Sequence, residues 1–531
     1  HFRGRKASAS ARPRLDFPLE ERLARSVVEG SKEGLIDDLE LALADARWPQ
    51  PLDIINGPLM KGMAEVGRLF NANELIVAEV LQSAEVMKAA VSYLEPHMEK
   101  KEGSLRGKVV LATVKGDVHD IGKNLVDIIL TNNGFEVVNL GIKVPSEQLI
   151  QAVREHKPNV LGLSGLLVKS AQQMVATAAD LKAVGIDVDL LVGGAALSRR
   201  FTHRKIAAAY GGLCTYAKDA MTGLKLVESL TNPEARKQLQ GEVEKLIAED
   251  RAGEDGAGVE TPLQQRAPSA VRRDLAPPRP PDLDRHVLAP SLDEVWALIN
   301  PQMLYGKHLG LRGSVKKLQA EGDERYRKLE RVLDEVKEQA RSSFALRVVW
   351  RFFPTRSIDE RVTVFGDNGQ GELGGWLFPR QATGDRLCLA DFVLPQDHVA
   401  LFVTTAGDQA RQLSVRWKEQ GDYLKSHALA SLALETAEAA AEWLHRKLRA
   451  DWGFPDPPEL SDQEIFSARY HGRRYSFGYP ACPDLAGQRL LFELLQPADI
   501  GVVLTEGDMM DPEASVSAIV VHHPEARYFG A

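Results

Sequence analysis

The sequence predicts a protein of three folded parts: a helical bundle, a doubly wound parallel α/β sheet and an α+β unit. In the first part, apolar residues recur at three- and four-residue spacing, as in amphipathic helices. In the second, apolar runs alternate with helical stretches, which is typical of a parallel sheet. The third follows a stretch with no periodicity, and 531 residues are too many for one core.

The predicted boundaries follow these changes of pattern. In chain order the parts are a tag or linker over 1–14, a four-helix bundle over 15–102, a parallel sheet over 103–231, a linker over 232–283 and an α+β unit over 284–531. The linker is predicted from Gly-rich and Pro-rich composition, which packed elements rarely contain. Because the chain begins with His1, we expect a piece of a longer or engineered protein.

Individual elements are predicted from the same periodicities. Helices are expected over 20–29, 32–44, 52–70 and 74–94, and strands over 108–114, 137–141, 160–167 and 190–194. In the α+β unit, strands are expected over 344–353, 374–379 and 399–405, with a long helix over 423–449.

Composition narrows the class of protein. The chain is 44% hydrophobic and 26% charged with a net charge of -8, which is ordinary for globular domains and offers no basic surface for nucleic acid. No apolar run approaches the length of a membrane span. The three cysteines, Cys214, Cys388 and Cys482, are far apart, so we expect no disulfide framework and a reducing cytoplasm.

One histidine lies at the edge where a parallel sheet binds its ligands. His119 stands between an apolar strand and a helical stretch, at the carboxyl end of the strand, in the spacing Asp117-x-His119-x-x-Gly122. Asp117 can accept one ring N–H while the other nitrogen faces a metal. Taken alone, His119 is also compatible with an ordinary loop residue.

Two later segments favour the functional interpretation. Ser164-Gly165-Leu166 and Gly193-Gly194 follow at suitable distances, and together with the first motif they resemble the DxHxxG…SxL…GG fingerprint of corrinoid-dependent methyltransferases and mutases. The resemblance implies that His119 is the lower cobalt ligand and that the displaced nucleotide tail of cobalamin enters a slot beside the sheet. The cofactor-binding residues it implies there are Gly116, Val118, Asp120, Gly122, Ser164, Gly165, Leu166, Val168, Gly193, Gly194, Tyr216 and Ala220.

Ser170 and two bundle residues are assigned through a closer resemblance. Asn56-Gly57-Pro58-Leu59-Met60 resembles the cap module of cobalamin-dependent methionine synthase. The resemblance implies that Phe70 and Val77 cover the methyl group that cobalamin carries on its cobalt. Ser170 is similar to a serine of that family that completes a His119–Asp117–Ser170 relay. The alternatives are bundle core for Phe70 and Val77 and a helix N-cap for Ser170.

A second binding site is implied near the C-terminus. Arg474 to Pro483 resembles the RxxxGYPACP motif of the S-adenosylmethionine-binding activation domain of the same family. The residues implied to bind S-adenosylmethionine are Arg474, Gly478, Tyr479, Ala481, Glu438, Tyr528 and Phe529. Glu438 is also compatible with an ordinary solvent-facing helix carboxylate. We compare Val349 with an aspartate of the family that receives the ligand's ammonium, which predicts weak binding here.

The order of cap, cobalamin domain and activation domain resembles the C-terminal half of cobalamin-dependent methionine synthase. It implies a methyltransferase fragment that carries cobalamin, as methylcobalamin, and supports reductive methylation by S-adenosylmethionine, with zinc only in the missing N-terminal half. Expected partners are the N-terminal homocysteine and folate modules and an electron-donating flavodoxin-like or reductase protein, without nucleic acid or membrane. A corrinoid shuttle protein of another methyltransferase and a cobalamin-based sensor remain alternatives.

Overall fold

The computed structural model describes residues 14–97, 106–252 and 269–530. Residues 1–13 of the tag or linker predicted over 1–14, and residues 253–268 of the linker predicted over 232–283, lie outside the described residues. By their internal contacts the residues form two compact units. One contains the bundle and the parallel sheet with 305–337 and 413–430, and the other contains the rest of the C-terminal part. No helix within the described ranges is long and apolar enough to cross a membrane.

The first part is the predicted four-helix bundle, with its third helix interrupted. Its helices are α1 (Leu19–Glu29), α2 (Leu35–Leu43), α3 (Pro51–Ile54), a π turn (Ile55–Leu59), α4 (Met60–Asn71) and α5 (Val77–Leu94), with short 3-10 turns at Arg14–Asp16 and Glu95–His97. Pro58 lies inside the π turn, where a residue without an N–H is tolerated because the regular ladder is already broken. The core includes Leu23, Leu39 and Leu59, each 0% exposed.

The second part is the predicted parallel sheet. Its elements are β1 (Lys108–Thr113), α6 (Ile121–Thr131), β2 (Glu136–Asn139), α7 (Ser146–His156), β3 (Val160–Ser164), α8 (Val168–Ala183), β4 (Asp189–Gly193), α9 (Arg199–Phe201), a π turn (Thr202–Ile206), α10 (Ala207–Tyr210), β5 (Cys214–Ala217), α11 (Ala220–Thr231) and α12 (Pro233–Ala252). The strand order is β2-β1-β3-β4-β5, all parallel. The chain passes from β1 to β2 on one side of β1 and then from β2 to β3 on the other side, so the topological switch point lies between β1 and β3, where such sheets bind ligands.

The predicted linker starts too early, and its first part is a helix of the sheet domain. Arg236 on α12 donates two hydrogen bonds to Asp189, of 2.6 and 2.7 Å. Val243 is buried in the core, with Leu239 and Ile247 packed beside it. These apolar side chains are four residues apart and so lie on one face of the helix, which explains the packing. Because the segment is otherwise highly charged, its composition alone favoured a linker.

The end of the predicted linker is also packed, against the second unit. Val271 packs against that unit's hydrophobic core, and the indole of Trp452 donates to the carbonyl of Pro278 at 3.2 Å. Arg273 donates to the carbonyls of Ser357 and Val393. Proline-rich chain lacks N–H donors but keeps its carbonyl acceptors, so it can lie extended on a folded surface.

The α+β part is built on an antiparallel sheet of seven strands. Its strands are β6 (His286–Leu288), β7 (Arg347–Ile358), β8 (Arg361–Phe365), β9 (Glu372–Leu377), β10 (Asp397–Thr405), β11 (Arg473–Tyr475) and β14 (Ser515–Val521), and a separate hairpin is formed by β12 (Val503–Leu504) and β13 (Met510–Asp511). The order is β11-β14-β10-β7-β8-β9, with β6 paired to β7. The three predicted strands correspond to β7, β9 and β10.

Helices and short turns complete this part. They are α13 (Leu292–Trp296), a π turn (Gln302–His308), α14 (Val315–Glu321), α15 (Glu324–Ala340), α16 (Gln409–Gln420), α17 (Tyr423–Asp451), α18 (Asp462–Phe466) and α19 (Gln488–Leu495), with 3-10 turns at Arg341–Ser343, Leu389–Phe392, Leu485–Gly487 and Pro497–Ile500. The long predicted helix is α17. The predicted fold class of helical cap, doubly wound parallel sheet and α+β domain is therefore confirmed.

Candidate functional site

Asp117, His119 and Ser170 meet at the carboxyl edge of the parallel sheet. Asp117 Oδ1 accepts from the backbone N–H of His119 at 2.9 Å and lies 2.6 Å from ring nitrogen Nδ1. Asp117 Oδ2 accepts from the backbone N–H of Leu166 at 2.8 Å and from the hydroxyl of Ser170. Because an ionised carboxylate only accepts, Nδ1 carries a proton and Nε2 is the nitrogen suited to a metal.

The electrostatics of Asp117 fit this role. The side chain is fully buried, and burial alone would raise its pKa, but hydrogen bonds and charge from His119, with the hydroxyl of Ser170, hold the pKa below its ordinary value. Asp117 therefore stays ionised at neutral pH. His119 is 24% exposed, so its ring reaches the surface while its partner does not.

Ser170 is not a helix N-cap. The N-cap position of α8 is Leu167, and Ser170 lies inside the first turn with its hydroxyl directed to Asp117. Its side chain is 2% exposed. The structure thus brings together the three residues of the predicted relay, of which Asp117 and His119 lie in the loop after β1 and Ser170 lies on α8.

The glycines of the motif allow two loops to touch. A Cβ on Gly194, whose φ is +148°, would stand 1.7 Å from the carbonyl oxygen of Gly165. A Cβ on Gly165 would stand 2.5 Å from Ser170 Cβ and 3.1 Å from Asp117 Oδ2. Glycine is needed at both positions, because the loops after β3 and β4 pack backbone to backbone directly behind the relay.

The remaining predicted cofactor residues divide by exposure. Gly122, Leu166 and Val168 are exposed, and His119, Ser164, Gly193, Gly194, Tyr216 and Ala220 are partly buried, whereas Gly116, Val118, Asp120 and Gly165 are buried. Val168 is 67% and Leu166 38% exposed, so apolar side chains face solvent beside the histidine. No atom lies within 4 Å of where a Cβ on Gly122 would be, so the first turn of α6 is open.

A buried lysine next to the motif was not singled out from the sequence. Lys123 is 4% exposed, and its ammonium donates to the amide oxygens of Asn124 and Asn139, each at 2.8 Å. Burial lowers the pKa of Lys123 to about 8. The sequence offers no signal for this, because a lysine in an amphipathic helix is usually exposed.

The two cap residues have ordinary structural surroundings. Phe70 is partly buried and packs against the hydrophobic core of the bundle. Val77 is the first residue of α5 and lies against Gly310, which belongs to the same compact unit. A Cβ added to Gly310 would stand 3.0 Å from the backbone nitrogen of Val77. Phe70 therefore packs on the core of the bundle. That Phe70 and Val77 cover the methyl group of bound cobalamin stays a prediction.

In the second unit, Arg474 on β11 lies between two glutamates of α17. Its Nη1 donates a short hydrogen bond to Glu442, and its Nη2 lies 3.9 Å from Glu438. Glu442 is buried, whereas the side chain of Glu438 is 52% exposed. Burial alone would lower the pKa of Arg474, but Glu442 and nearby tyrosines and Glu438 raise it, so the guanidinium stays charged.

The predicted turn after Arg474 is tightly closed. The N–H of Gly478 donates to the carbonyl of Cys482, and the N–H of Cys482 donates to the carbonyl of Tyr479, each at 2.8 Å. Gly478 has a φ of +87°, which favours glycine. Tyr479 is 63% exposed and Ala481 is 5% exposed, so the turn presents one ring to solvent above a packed base.

The two predicted aromatic residues near the C-terminus lie beside the same strand. The ring of Tyr475 is 5.7 Å from that of Tyr528 and 6.4 Å from that of Phe529, and its hydroxyl donates to the carbonyl of Arg527 at 2.8 Å. Tyr528 is 54% exposed. These contacts bring the chain terminus next to the strand that carries Arg474.

The strand position compared with the family aspartate is in the apolar core. Val349 on β7 is 0% exposed among Phe353, Val362 and Val403. A carboxylate there would be buried without solvent, so β7 does not supply a partner for a ligand's ammonium. Glu442 is the acidic residue near Arg474 that the sequence motif missed, and its only signal is its position one helical turn after Glu438.

Three family models match the chain. Two are B12 binding domains, over residues 19–95 and 107–225, and the third is the activation domain of vitamin B12 dependent methionine synthase, over residues 296–531. The chain is 37% identical to methionine synthase of Mycobacterium tuberculosis over 99% of its length and 48% of the relative's. It is also 37% identical to methionine synthase of Mycobacterium leprae, over 97% of its length and 46% of the relative's.

A solved structure is similar at a lower level. The MetH reactivation domain bound to AdoHcy is 26% identical with a TM-score of 0.45, covering 49% of this chain and 84% of that one, a likeness too weak to carry an argument. The chain spans about half the length of the curated relatives it matches. By the domains it contains and by its identity to these relatives, the chain belongs to the family of vitamin B12-dependent methionine synthases.

Proposed function

We propose that this chain holds cobalamin at the carboxyl edge of its parallel sheet, with His119 as the lower cobalt ligand. The observation that carries the proposal is the buried Asp117 carboxylate, which contacts the ring of His119 on one side and Ser170 on the other. The residues present fit this cofactor, because an oriented imidazole lies beside exposed apolar side chains and an open glycine turn.

Cobalamin, when bound, supplies a cobalt that accepts and releases a methyl group. The chain's own residues would control the histidine. With Nε2 bound to cobalt, Asp117 would hold the proton on Nδ1 and fix the ring orientation. If Nε2 left the cobalt, it would take up a proton, and the carboxylate of Asp117 would stabilise the imidazolium. Ser170 and the N–H of Leu166 keep the carboxylate in place throughout.

The test is the visible spectrum of methylcobalamin bound to His119→Gly. We expect binding to persist through the nucleotide tail, with the histidine ligand lost. His156→Gly, which removes a histidine from the end of α7 in the same domain, is the matched control and should keep the wild-type spectrum. A wild-type spectrum in His119→Gly would exclude His119 as the ligand.

We propose further that the α+β domain binds S-adenosylmethionine and supports reductive methylation of the cofactor. Arg474 would bind the ligand's carboxylate and Glu438 its ammonium, while the turn from Gly478 to Ala481 and the rings of Tyr528 and Phe529 would contact the rest. The support is that these residues surround Arg474 or its strand at the edge of one sheet.

Methylation of cobalamin by this chain with a low-potential reductant tests the second proposal. The reaction should require S-adenosylmethionine, and Arg474→Ala should suppress it at subsaturating ligand, since a hydrogen bond to a charged group contributes about 1.5–3 kcal/mol. Arg446→Ala removes an exposed arginine from α17 and is the control. Methylation that is unaffected by Arg474→Ala would contradict the site. S-adenosylmethionine dependence also separates this function from a corrinoid shuttle and from a sensor.

We infer that the complete protein transfers a methyl group from methyltetrahydrofolate to homocysteine. Its substrate modules, including any zinc site, would lie in the half of the relatives that this chain does not span. An electron-donating flavodoxin-like or reductase protein is the expected partner. Because all three cysteines are buried and unbridged, a reducing cytoplasm is the proposed location.

A further inference from the structure

Arg474 is held by a chain of buried charges that extends away from the proposed ligand site. Glu442, which binds Nη1 of Arg474, also accepts from Arg449 Nη2 and from the hydroxyl of Tyr470, each at 3.4 Å. Arg449 in turn makes a two-pronged ion pair with Asp456, at 2.6 and 2.5 Å. The order Asp456, Arg449, Glu442, Arg474 alternates in charge from end to end.

Arg474, the last member of this chain, is its most exposed residue. The side chains of Arg449, Asp456 and Glu442 are 0%, 5% and 9% exposed, whereas that of Arg474 is 17% exposed. A buried carboxylate without such partners would be costly, so the hydrogen bonds from Arg449 and Tyr470 stabilise Glu442 in its buried position. The ring of Tyr470 also lies under the guanidinium of Arg449, 3.8 Å from its central carbon.

The neighbouring histidine adds no charge to this arrangement. His445, one turn before Arg449 on α17, is fully buried, and its ring packs edge-on against Tyr470 at 5.2 Å. Burial, together with the nearby arginines, lowers the pKa of His445 well below its ordinary value. It is therefore neutral at physiological pH, and Glu442 is the group that balances Arg474 from the buried side.

We propose that Glu442 is a positioning residue for the S-adenosylmethionine carboxylate. It holds Arg474 by the Nη1 edge and thereby directs the Nη2 edge, near Glu438, to the ligand. This inference rests on the proposed S-adenosylmethionine site and adds to it that a residue without ligand contact sets the affinity. A flexible arginine would have to lose its rotamer freedom on binding, whereas one already fixed by Glu442 does not.

The test compares two ligands in the full chain. Glu442→Gln keeps the side-chain shape but removes the charge that fixes Arg474. We expect about tenfold weaker binding of S-adenosylmethionine, measured by calorimetry. Binding of decarboxylated S-adenosylmethionine should stay at its wild-type value, because that ligand keeps the adenosine, sulfonium and amine but has nothing for Arg474 to hold. Asp451→Asn removes the same charge from the end of α17 and should affect neither ligand.

A double-variant cycle completes the test. If Glu442 acts only through Arg474, the double variant Glu442→Gln, Arg474→Ala should bind no more weakly than Arg474→Ala alone. Equal losses for both ligands, or additive losses in the double variant, would mean a general structural role and would overturn the inference. If wild-type protein binds neither ligand, the S-adenosylmethionine site itself is wrong. If Glu442→Gln does not fold, Glu442→Asp withdraws the carboxylate by one methylene and gives the same comparison.

Discussion

Replacing Asp117 by asparagine tests the relay most directly. The carboxylate accepts four hydrogen bonds, two on each oxygen: the ring and backbone N–H of His119 on Oδ1, and the N–H of Leu166 and the hydroxyl of Ser170 on Oδ2. An asparagine has one oxygen and one NH₂ group. Whichever way the amide turns, its NH₂ group faces at least one backbone N–H.

The structure indicates which orientation of the asparagine amide costs less and how large that cost in free energy is. With the oxygen towards His119, the NH₂ group faces Ser170, which can rotate and accept, and the N–H of Leu166, which cannot. One buried N–H is then left without an acceptor, at a cost of about 1–3 kcal/mol, and the bonds to His119 lose their charge-assisted strength. We therefore expect Asp117→Asn to lower the free energy of unfolding by roughly 2–4 kcal/mol.

Two measurements check this expectation. Hydrogen exchange should report lost protection in the loop after β3, where Leu166 lies, together with a lower unfolding free energy in urea. In the methylcobalamin complex, the pH at which the histidine detaches should fall, because an imidazolium beside a neutral amide is less stable than one beside a carboxylate. Asp219→Asn is the control. Asp219 caps α11 by accepting from the N–H of Thr222 at 2.7 Å, and asparagine caps equally well.

A result within about 0.5 kcal/mol of wild type, the range of ordinary surface substitutions, would refute the reasoning. It would mean that Asp117 is not held by four donors. An unchanged detachment pH, with the stability loss present, would instead mean that the carboxylate supports the loop but exchanges no charge with His119.

Two further predictions concern the same domain. Gly194→Ala should lower the unfolding free energy by more than about 4 kcal/mol, because its Cβ would overlap the carbonyl of Gly165. Gly241→Ala, at an exposed position of α12 where no atom lies within 4 Å of the new Cβ, should raise it by up to about 1 kcal/mol. A mild effect of Gly194→Ala would disprove the close approach. For Lys123, burial lowers the pKa from 10.5 to about 8. The cost of the buried charge, roughly 3 kcal/mol, is then fully present below pH 8 and is relieved as the pH rises towards 10.5. The unfolding free energy of wild type minus that of Lys123→Met should increase over this interval in urea titrations, and a flat difference would show that the ammonium is not desolvated.

The sequence predicted the contacts of the site that join residues close together in the chain. His119 and Asp117 are two residues apart on one turn, so the motif places them together wherever the turn folds. Ser170 is different, because its contact with Asp117 joins residues 53 positions apart and depends on where α8 begins. From the sequence an N-cap was an equal alternative, and only the start of the helix at Val168 removes it.

The error in the predicted linker has the same origin in long-range packing. The linker was extended over α12 because that segment is highly charged, although one apolar stripe packs it on the domain, with Val243 buried and Leu239 and Ile247 partly buried. The comparison of Val349 with a family aspartate stays a prediction, and the structure adds that β7 is a central strand with the Val349 side chain in the core. Strand position and helix burial depend on the whole sheet, which no local pattern specifies.

The two proposed sites hold a basic side chain, His119 or Arg474, in a similar way, but the two side chains differ in function. In each, a buried carboxylate holds one side of the basic group and directs the other side outwards: Asp117 for His119, and Glu442 for Arg474. Histidine gains and loses a proton near neutral pH, so its carboxylate can change the charge state of the site. Arginine keeps its charge throughout that range, so Glu442 can act on the ligand only through the orientation of Arg474. Variants of Asp117 should therefore alter pH profiles, whereas variants of Glu442 should alter affinity at every pH between 6 and 9 by about the same factor.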